Sequence, residues 1–290
     1  MISKVKIFME MIKFEHTIFA LPFAFMGAML GSVVVAGALP SWAQIGWIIV
    51  AMVGARSAAM GLNRLIDAKI DKKNPRTAGR AIPAGKLSVA EVIVFVIISF
   101  IFLFIAAYQL NTLAMQLLPI AVFMLVFYSY TKRFTWLCHV FLGLTIGLAP
   151  LGGWVAVTGQ IDMVAIIFYL SVALWTAGFD IIYACQDIEF DRKENIYSIP
   201  SRFGLEKGLA IAKTFHAITA AGLFSLVFLT DLSWLYVVGT VIAAAILFYE
   251  HRLVSPNDLS RLDAAFFTMN GTLSVVVFAF ACIDLVVRFG

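Results

Sequence analysis

Charged residues and cysteines are scarce in this chain of 290 residues. Only 13% of the residues are charged and 62% are hydrophobic, whereas soluble domains contain about 25% charged residues. This composition excludes an ordinary soluble domain and indicates a protein whose solvent is lipid. The three cysteines, Cys138, Cys185 and Cys282, form no CxxC pair. They are therefore interpreted as small apolar residues, and a disulfide framework is excluded.

The sequence also lacks the signals of a nucleic-acid-binding protein and of a cleavable signal peptide. The net charge of +4 does not predict a nucleic-acid partner, because the basic residues lie between apolar segments. A cleavable signal peptide is not expected either, since the first apolar segment is too long and has no clear cleavage site.

Long apolar segments predict an all-α polytopic membrane protein, because about 20 such residues form a helix that crosses a bilayer. Nine candidate spans occupy roughly residues 16–37, 43–65, 88–109, 113–131, 135–157, 162–185, 208–229, 233–250 and 264–286. We expect them to form one transmembrane domain over residues 1–290. A capping box at Ser88 and Glu91 is expected to start the third span.

Lysine and arginine are restricted to alternate connections between these spans. The loops near 38–42, 110–112, 158–161 and 230–232 contain neither residue, whereas the N-terminal segment and the two long loops, 66–87 and 186–207, are rich in both. Cytoplasmic loops carry the excess of lysine and arginine. We therefore predict a cytoplasmic N-terminus, cytoplasmic long loops and a bacterial inner (cell) membrane location; only Arg288 departs from the pattern.

Two matched acidic motifs follow apolar segments. Asn63, Asp67 and Asp71 recur every fourth residue, and a second DxxxD pair, Asp187 and Asp191, lies 120 residues later. One such pair is usually a solvated helix end, but two pairs favour half-sites that face each other. Carboxylates on one helical face repel unless a cation lies between them. Ligands that are all oxygens favour a hard cation such as Mg²⁺, often shared with substrate phosphates.

Basic residues near these motifs suit the rest of a polyanion such as a diphosphate. Lys69 and Lys73 are expected only to set the topology. Arg56 and Asp180 lie inside apolar spans, where a charge costs roughly 2.5–3.5 kcal/mol and marks a functional candidate. The alternative is that these two residues pair with each other, or that Arg56 caps a helix end. Helical spacing also predicts that Asp180 and Tyr183 share one face with the second acidic pair.

Several segments together resemble the UbiA family of intramembrane prenyltransferases. The first motif matches that family's NxxxDxxxD pattern, and Asp187 and Asp191 match its second DxxxD. "NPRTAGRAIPAG" (74–85) is similar to the family's basic loop, with Ala81 where proline is usual, and "YSYTKRFT" (128–135) is similar to its YxxxKRxT element. The resemblance implies nine helices around a central cavity that opens toward lipid. It also implies Mg²⁺-dependent transfer of a prenyl group from a polyprenyl diphosphate.

Roles follow from the residues and the resemblance together. Mg²⁺-diphosphate binding is expected of Asn63, Asp67, Asp71, Asp187 and Asp191. Diphosphate contacts are expected of Arg76, Arg80, Lys132 and Arg133, and less strongly of Lys72. Asp67, Asp187 and Asp180 are the predicted catalytic residues, and Arg56 and Tyr183 are the predicted acceptor-binding residues.

The acceptor depends on Arg56, which lies two helical turns, about 10 Å, deeper than Asn63. A buried arginine binds a carboxylate by paired hydrogen bonds, and the resemblance implies an aromatic acid there. 4-Hydroxybenzoate, of ubiquinone synthesis, is favoured, and a dihydroxynaphthoate, of menaquinone synthesis, is the alternative. The expected partners are these two substrates and membrane lipid; the sequence does not indicate an oligomeric state.

Two rival classes remain. A CDP-alcohol phosphotransferase also uses aspartate and a metal in the membrane, but its DGxxAR-type motif is absent from the sequence. A secondary transporter would carry intramembrane charges and repeats, but its site would lie near the midplane of the bilayer.

Overall fold

Helices make up almost all of the structure. The computed structural model describes residues 2–13 and 17–290, and these contain no β-strand. The helices are α1 Ile2–Met11, α2 Thr17–Ala36, α3 Trp42–Lys73, α4 Val89–Leu110, α5 Thr112–Thr131, α6 Cys138–Thr158, α7 Met163–Ala184, α8 Ile188–Lys193, α9 Ile199–Phe203, α10 Leu205–Leu229, α11 Trp234–Leu253 and α12 Asn270–Phe289. Nine helical stretches of the described chain are long and apolar enough to cross a membrane, which confirms the predicted all-α fold with nine spans.

The helix that carries the first motif is longer than predicted. We expected a span over 43–65, but α3 has 32 residues and continues to Lys73. Its N-terminus has a capping box between Ser41 and Gln44, and the predicted box of Ser88 and Glu91 at the start of α4 is confirmed. The motif therefore lies on one unbroken helix. The predicted start of the first span, residue 16, lies outside the described residues.

The second motif does not lie on a regular helix. α7 ends at Ala184, a 3₁₀ turn follows at Cys185–Asp187, and α8 begins at Ile188. A 3₁₀ turn has 3.0 residues per turn instead of 3.6. The predicted α-helical spacing of Asp180, Tyr183, Asp187 and Asp191 is therefore interrupted by the turn, although Tyr183 and Asp187 still face one common partner, Arg76.

Glycines bring the backbones of α2 and α6 close together. A Cβ atom added at Gly153 would lie 2.0 Å from the carbonyl oxygen of Ala24, and one added at Gly27 would lie 2.1 Å from that of Pro150. Small residues are typical where membrane helices pack. α6 also packs on α7, α7 on α10, α10 on α11, α11 on α12 and α12 on α2, so α2 closes a ring of helices.

An aromatic core fills one half of this ring. Trp175 of α7 is fully buried, its ring lies 5.0 Å from that of Phe23, and its indole nitrogen donates to Asn270 at 2.7 Å. The cavity described below is lined instead by α3, α4 and α5 together with one side of α2 and of α6. Cys138, Cys185 and Cys282 are all free thiols, as predicted.

Candidate active site

Asp67 is the most enclosed residue of the first motif, with 1% of its side chain exposed. Its carboxylate accepts from Lys132 Nζ at 2.6 Å and from Arg133 Nη2 at 3.0 Å. Both cations lie just beyond α5, which ends at Thr131. The end of α5 therefore places two predicted diphosphate ligands on one predicted metal ligand.

The Asn63 side chain orients Asp67. Its amide nitrogen donates to Asp67 Oδ2 at 2.9 Å and to Ser129 Oγ at 3.3 Å. Its amide oxygen accepts from Arg64 Nη1 at 3.1 Å. In this arrangement the amide nitrogen faces the carboxylate, so binding a metal through the Asn63 oxygen requires the amide to turn.

Asp71, one turn later, is held by the basic loop. Arg80 Nη1 donates to both carboxylate oxygens, at 2.7 and 2.9 Å. The Thr77 hydroxyl also donates to the Asp71 carbonyl oxygen at 3.0 Å. The loop after α3 thus folds back so that its arginine neutralises the last acid of the helix.

Asp187 of the second motif binds the same basic loop. Arg76 Nε and Nη2 donate to its two oxygens at 3.0 and 2.5 Å, and the Asn74 amide donates at 3.2 Å. Such two-point arginine–carboxylate contacts are strong and directional. Burial lowers the pKa of Arg76, but the hydrogen bonds and charge of Asp187 outweigh this effect, so the pKa lies above its ordinary value.

The two loops also meet at their edges. Lys73, expected only to set the topology, pairs with Glu194 at 2.5 Å, and the Tyr197 amide donates to the Lys132 carbonyl oxygen at 2.8 Å. Asp191 is buried and accepts from the Ser198 hydroxyl at 2.8 Å. The structure therefore brings the two half-sites together, as the internal repeat predicted.

The predicted cations and the predicted carboxylates thus occupy a single cluster. Lys72 is the exception, since it is exposed at the end of α3. Within the described chain, no three His, Cys, Asp or Glu side chains are grouped closely enough to hold a metal ion. The carboxylate oxygens are nevertheless the hard donors that suit Mg²⁺, which commonly completes its coordination with water and substrate phosphates.

An apolar cavity of about 330 Å³ is lined by residues of α2, α3, α4, α5 and α6. Of the described residues that line it, Arg56 is the only charged one. Tyr128 also lines the cavity, and the next residue, Ser129, accepts the hydrogen bond from Asn63. One end of the cavity therefore lies beside the acidic cluster, with room for an apolar chain or a ring.

Arg56 and Asp180 do not pair with each other, so this part of the structural alternative is wrong; its other part, that Arg56 caps a helix end, fits the structure, because Arg56 donates to backbone carbonyls just after α1 ends at Met11. Arg56 Nη2 donates to the carbonyl oxygen of Lys13 at 2.9 Å. Asp180 lies 2.7 Å from Nδ1 of His139, a buried histidine whose Nε2 has no hydrogen-bond partner among the described residues. An acid–histidine pair of this kind can accept a proton; the catalytic role of Asp180 stays a prediction.

Tyr183 lies at the second motif and is not among the residues that line the cavity. Its hydroxyl accepts from Arg76 Nη1 at 2.9 Å, and its ring stacks on Phe266 with centroids 4.1 Å apart. Its predicted contact with the acceptor therefore stays a prediction, while its contact with Arg76 is direct.

Sequence reasoning missed four residues that shape the site: Arg64, Asn74, Ser198 and His139. Arg64 is 7% exposed and lies inside an apolar span, so the argument applied to Arg56 could have found it. Asn74 is the first residue of the quoted segment 74–85 but was given no role of its own. Nothing in the sequence links Ser198 to Asp191 or His139 to Asp180, because those contacts depend on the tertiary fold.

Comparison with known proteins identifies the family. The sequence profile of the UbiA prenyltransferase family matches residues 20–272. This chain belongs to the UbiA prenyltransferase family. The resemblance inferred from the motifs is therefore confirmed.

Relatives of this UbiA family member include 4-hydroxybenzoate octaprenyltransferases. That of Vibrio campbellii is 29% identical over 84% of this chain and 86% of the relative. That of Francisella tularensis is 26% identical over 84% of this chain and 85% of the relative.

Solved structures show the same fold. A UbiA homologue from Aeropyrum pernix K1, in its apo form, superimposes with a TM-score of 0.84 and 32% identity over 93% of this chain and 98% of that one. A UbiA homologue from Archaeoglobus fulgidus bound to GPP and Mg²⁺ superimposes with a TM-score of 0.77 over 97% and 99% of the two chains. At 17% identity, the second likeness concerns the fold alone.

Proposed function

We propose that this protein transfers a polyprenyl group from a polyprenyl diphosphate to 4-hydroxybenzoate. One observation carries the proposal: an apolar cavity with a single lining charge, Arg56, lies beside a cluster of interlocked carboxylates and cations. An amphipathic donor needs this combination, because its chain requires an apolar space and its head requires charge. The names of the Vibrio and Francisella relatives support the same acceptor.

The acidic cluster is the proposed head-group site. Asp67, Asp71, Asp187 and Asp191 would hold Mg²⁺ with the diphosphate, and the oxygen donors fit that ion. When bound, Mg²⁺ supplies charge neutralisation of the diphosphate. The GPP and Mg²⁺ of the Archaeoglobus homologue are consistent with this assignment.

The cations of the cluster take part in the same step. Arg76, Arg80, Lys132 and Arg133 now neutralise the carboxylates. When the substrate binds, these cations can turn to the diphosphate oxygens and stabilise the negative charge that develops as the allylic C–O bond breaks. Lys72 would add only long-range attraction.

Arg56 is the proposed ligand of the acceptor carboxylate. It lies two turns from Asn63 on the same helix, so a ring held by Arg56 would sit about 10 Å from the head-group site. A dihydroxynaphthoate acceptor, and with it a role in menaquinone synthesis, is the second candidate, because its carboxylate could bind Arg56 in the same way.

The test is a transfer assay in membranes with one radiolabelled polyprenyl diphosphate. We expect product with 4-hydroxybenzoate and Mg²⁺, less with a dihydroxynaphthoate, and none after chelation of the metal. Arg56→Ala should lower kcat/KM for the carboxylate acceptor by roughly 30-fold or more, since loss of a buried ionic contact costs about 2–5 kcal/mol. Arg56→Lys should recover part of the loss.

A phenol without a carboxylate is the matched control. It should react poorly with the wild type, and Arg56→Ala should change its rate far less. Equal losses for acceptors with and without the carboxylate would contradict the role of Arg56, and faster turnover of the dihydroxynaphthoate would replace the proposed acceptor.

We also propose that residues 1–290 act as one transmembrane domain in a bacterial inner membrane, with the N-terminus and both long loops in the cytoplasm. The distribution of lysine and arginine supports this orientation. The bacterial sources of the relatives support the compartment.

A further inference from the structure

A second cavity, of about 230 Å³, lies between α10 and α11 and is separate from the acidic cluster. It opens on the outer surface of the bundle, where Lys213, Ala217 and Arg252 are exposed. Lys213 lies about two turns from the start of α10, and Arg252 lies in the last turn of α11. Both positions are at the end of the bundle that carries the acidic motifs, within reach of the membrane interface.

The polar lining of this cleft is basic. Lys213, His251 and Arg252 all line it, and no carboxylate does. Neither Lys213 nor Arg252 forms an ion pair with any part of the chain that the structure describes. The nearest acid in sequence, Glu250, does not line the cleft. Its fully buried side chain accepts from the Asn270 amide at 2.9 Å and lies behind the cleft wall, 3.6 Å from His216 Nδ1. Like charges gathered around one cleft favour an anion.

Buried contacts hold the histidine wall of the cleft in place. His216 Nε2 lies 3.2 Å from the carbonyl oxygen of Trp175, and because a carbonyl only accepts, this nitrogen carries the hydrogen. In the neutral imidazole Nδ1 is then the acceptor, so His251 Nε2, 3.0 Å away, is the donor. Gly178 leaves the space for His216, since a Cβ atom there would lie 2.3 Å from its ring.

The rest of the lining is apolar and includes small residues. Ala217, Ala220 and Ala244 line the cleft together with Leu247 and Phe248. The guanidinium carbon of Arg252 lies 6.0 Å from the centre of the Phe248 ring, so the cation borders the apolar surface. Small side chains on two neighbouring helices leave a groove that an acyl chain can fill.

We propose that this cleft binds one anionic phospholipid, with its phosphate between Lys213 and Arg252 and an acyl chain along the alanines. Basic pockets between membrane helices suit anionic head groups. A free phosphate has the same charge but would leave the alanine-lined groove empty, so the lipid is the proposed ligand.

The test is a titration of the purified protein in detergent, in which native mass spectrometry counts bound phosphatidylglycerol or phosphatidylcholine. We expect one phosphatidylglycerol to bind in preference to phosphatidylcholine. Lys213→Gln combined with Arg252→Gln should weaken that binding about 30-fold, because each cation near an anionic lipid contributes a factor of about five. Ala244→Leu should also weaken it, because the larger side chain fills the groove.

Lys207→Gln is the matched control, since Lys207 is an exposed lysine of α10 that does not line the cleft. It should leave the affinity within about two-fold, because a lysine outside the cleft lacks the five-fold contribution of a cation that lies near the lipid. A loss of about five-fold in this single-charge control would show general charge attraction and overturn the site. Competition by inorganic phosphate as effective as that by phosphatidylglycerol would overturn the lipid as ligand, and so would full binding by Ala244→Leu. Since the measurement needs no prenyl transfer, its outcome is independent of the proposed enzyme activity.

Discussion

At the scale of single residues, the carboxylates Asp67, Asp71 and Asp187 each form an ion pair with a cation of the site. Variants of the pair Asp71 and Arg80 can distinguish an effect on substrate binding from an effect on stability. The two side chains differ in exposure, so the loss of either one should change stability by a different amount. Asp71 is 5% exposed and Arg80 is 28% exposed. A deeply buried charge that loses its partner is the costlier one to leave behind.

Arg80→Gln should therefore destabilise the protein more than Asp71→Asn. Removing one partner of a buried pair costs about 3–5 kcal/mol, and we expect Arg80→Gln to approach the lower end of that range. The double variant Asp71→Asn, Arg80→Gln leaves no unpaired charge and should regain most of the stability. Thermal unfolding of the four proteins in one detergent measures this.

Transfer activity should not return with stability. Both single variants and the double variant should have a raised KM for the polyprenyl diphosphate. Lys72→Gln is the control. Lys72 is exposed, and because exposed charges contribute little, this change should alter the KM by less than about two-fold. Recovery of wild-type activity in the stable double variant would mean that the pair is only structural.

At the scale of helices, α2 and α6 approach so closely that only glycine fits between them. Gly153 and Gly152 are neighbours in α6 that allow a matched comparison. A Cβ atom at Gly153 would lie 2.0 Å from the Ala24 carbonyl oxygen, whereas one at Gly152 meets nothing within 4 Å. Because the clash is with backbone, a rotamer change cannot relieve it.

Gly153→Ala should lower the free energy of unfolding by about 1–3 kcal/mol or more, as overpacking does. Gly152→Ala should be neutral or stabilising by up to about 1 kcal/mol, since alanine is the better helix former. Unfolding in mixed micelles followed by circular dichroism compares the two. Equal stabilities would contradict the close approach of α2 and α6.

Helices were predicted from sequence better than the contacts between them. Long apolar segments and the capping box at Ser88 are local signals, so the spans were found with small errors at their ends. The extension of α3 to Lys73 was missed because its last residues are charged, a composition typical of loops. The 3₁₀ turn at Cys185–Asp187 was missed because no local sequence signal marks it. The clustering of the two acidic motifs was predictable from their repeat, whereas their pairing with Arg76, Arg80 and Lys132 required the fold.

At the scale of the whole molecule, the proposed function requires both acidic motifs on one side of the membrane. The spans between them are α4, α5, α6 and α7, an even number of crossings, so the two loops face the same compartment. α1 is on that side too, since Lys4 pairs with Glu91 at the start of α4. Nine crossings then place the C-terminus on the opposite side.

This topology predicts the behaviour of reporter fusions in a bacterial host. Alkaline phosphatase fused after Gly290 should be active, because this enzyme folds only in the periplasm. Green fluorescent protein fused there should be dark, because it does not become fluorescent when it is exported to the periplasm by the ordinary route. The same reporters fused after Lys207, in the second long loop, should give the reverse result. This prediction assumes that the two long loops are cytoplasmic. The orientation is favoured because the loops on the other side contain no lysine or arginine, and only Arg288 opposes it. A fluorescent C-terminal fusion would contradict either the nine crossings or the cytoplasmic location of the motifs, and the Lys207 fusions would decide between them.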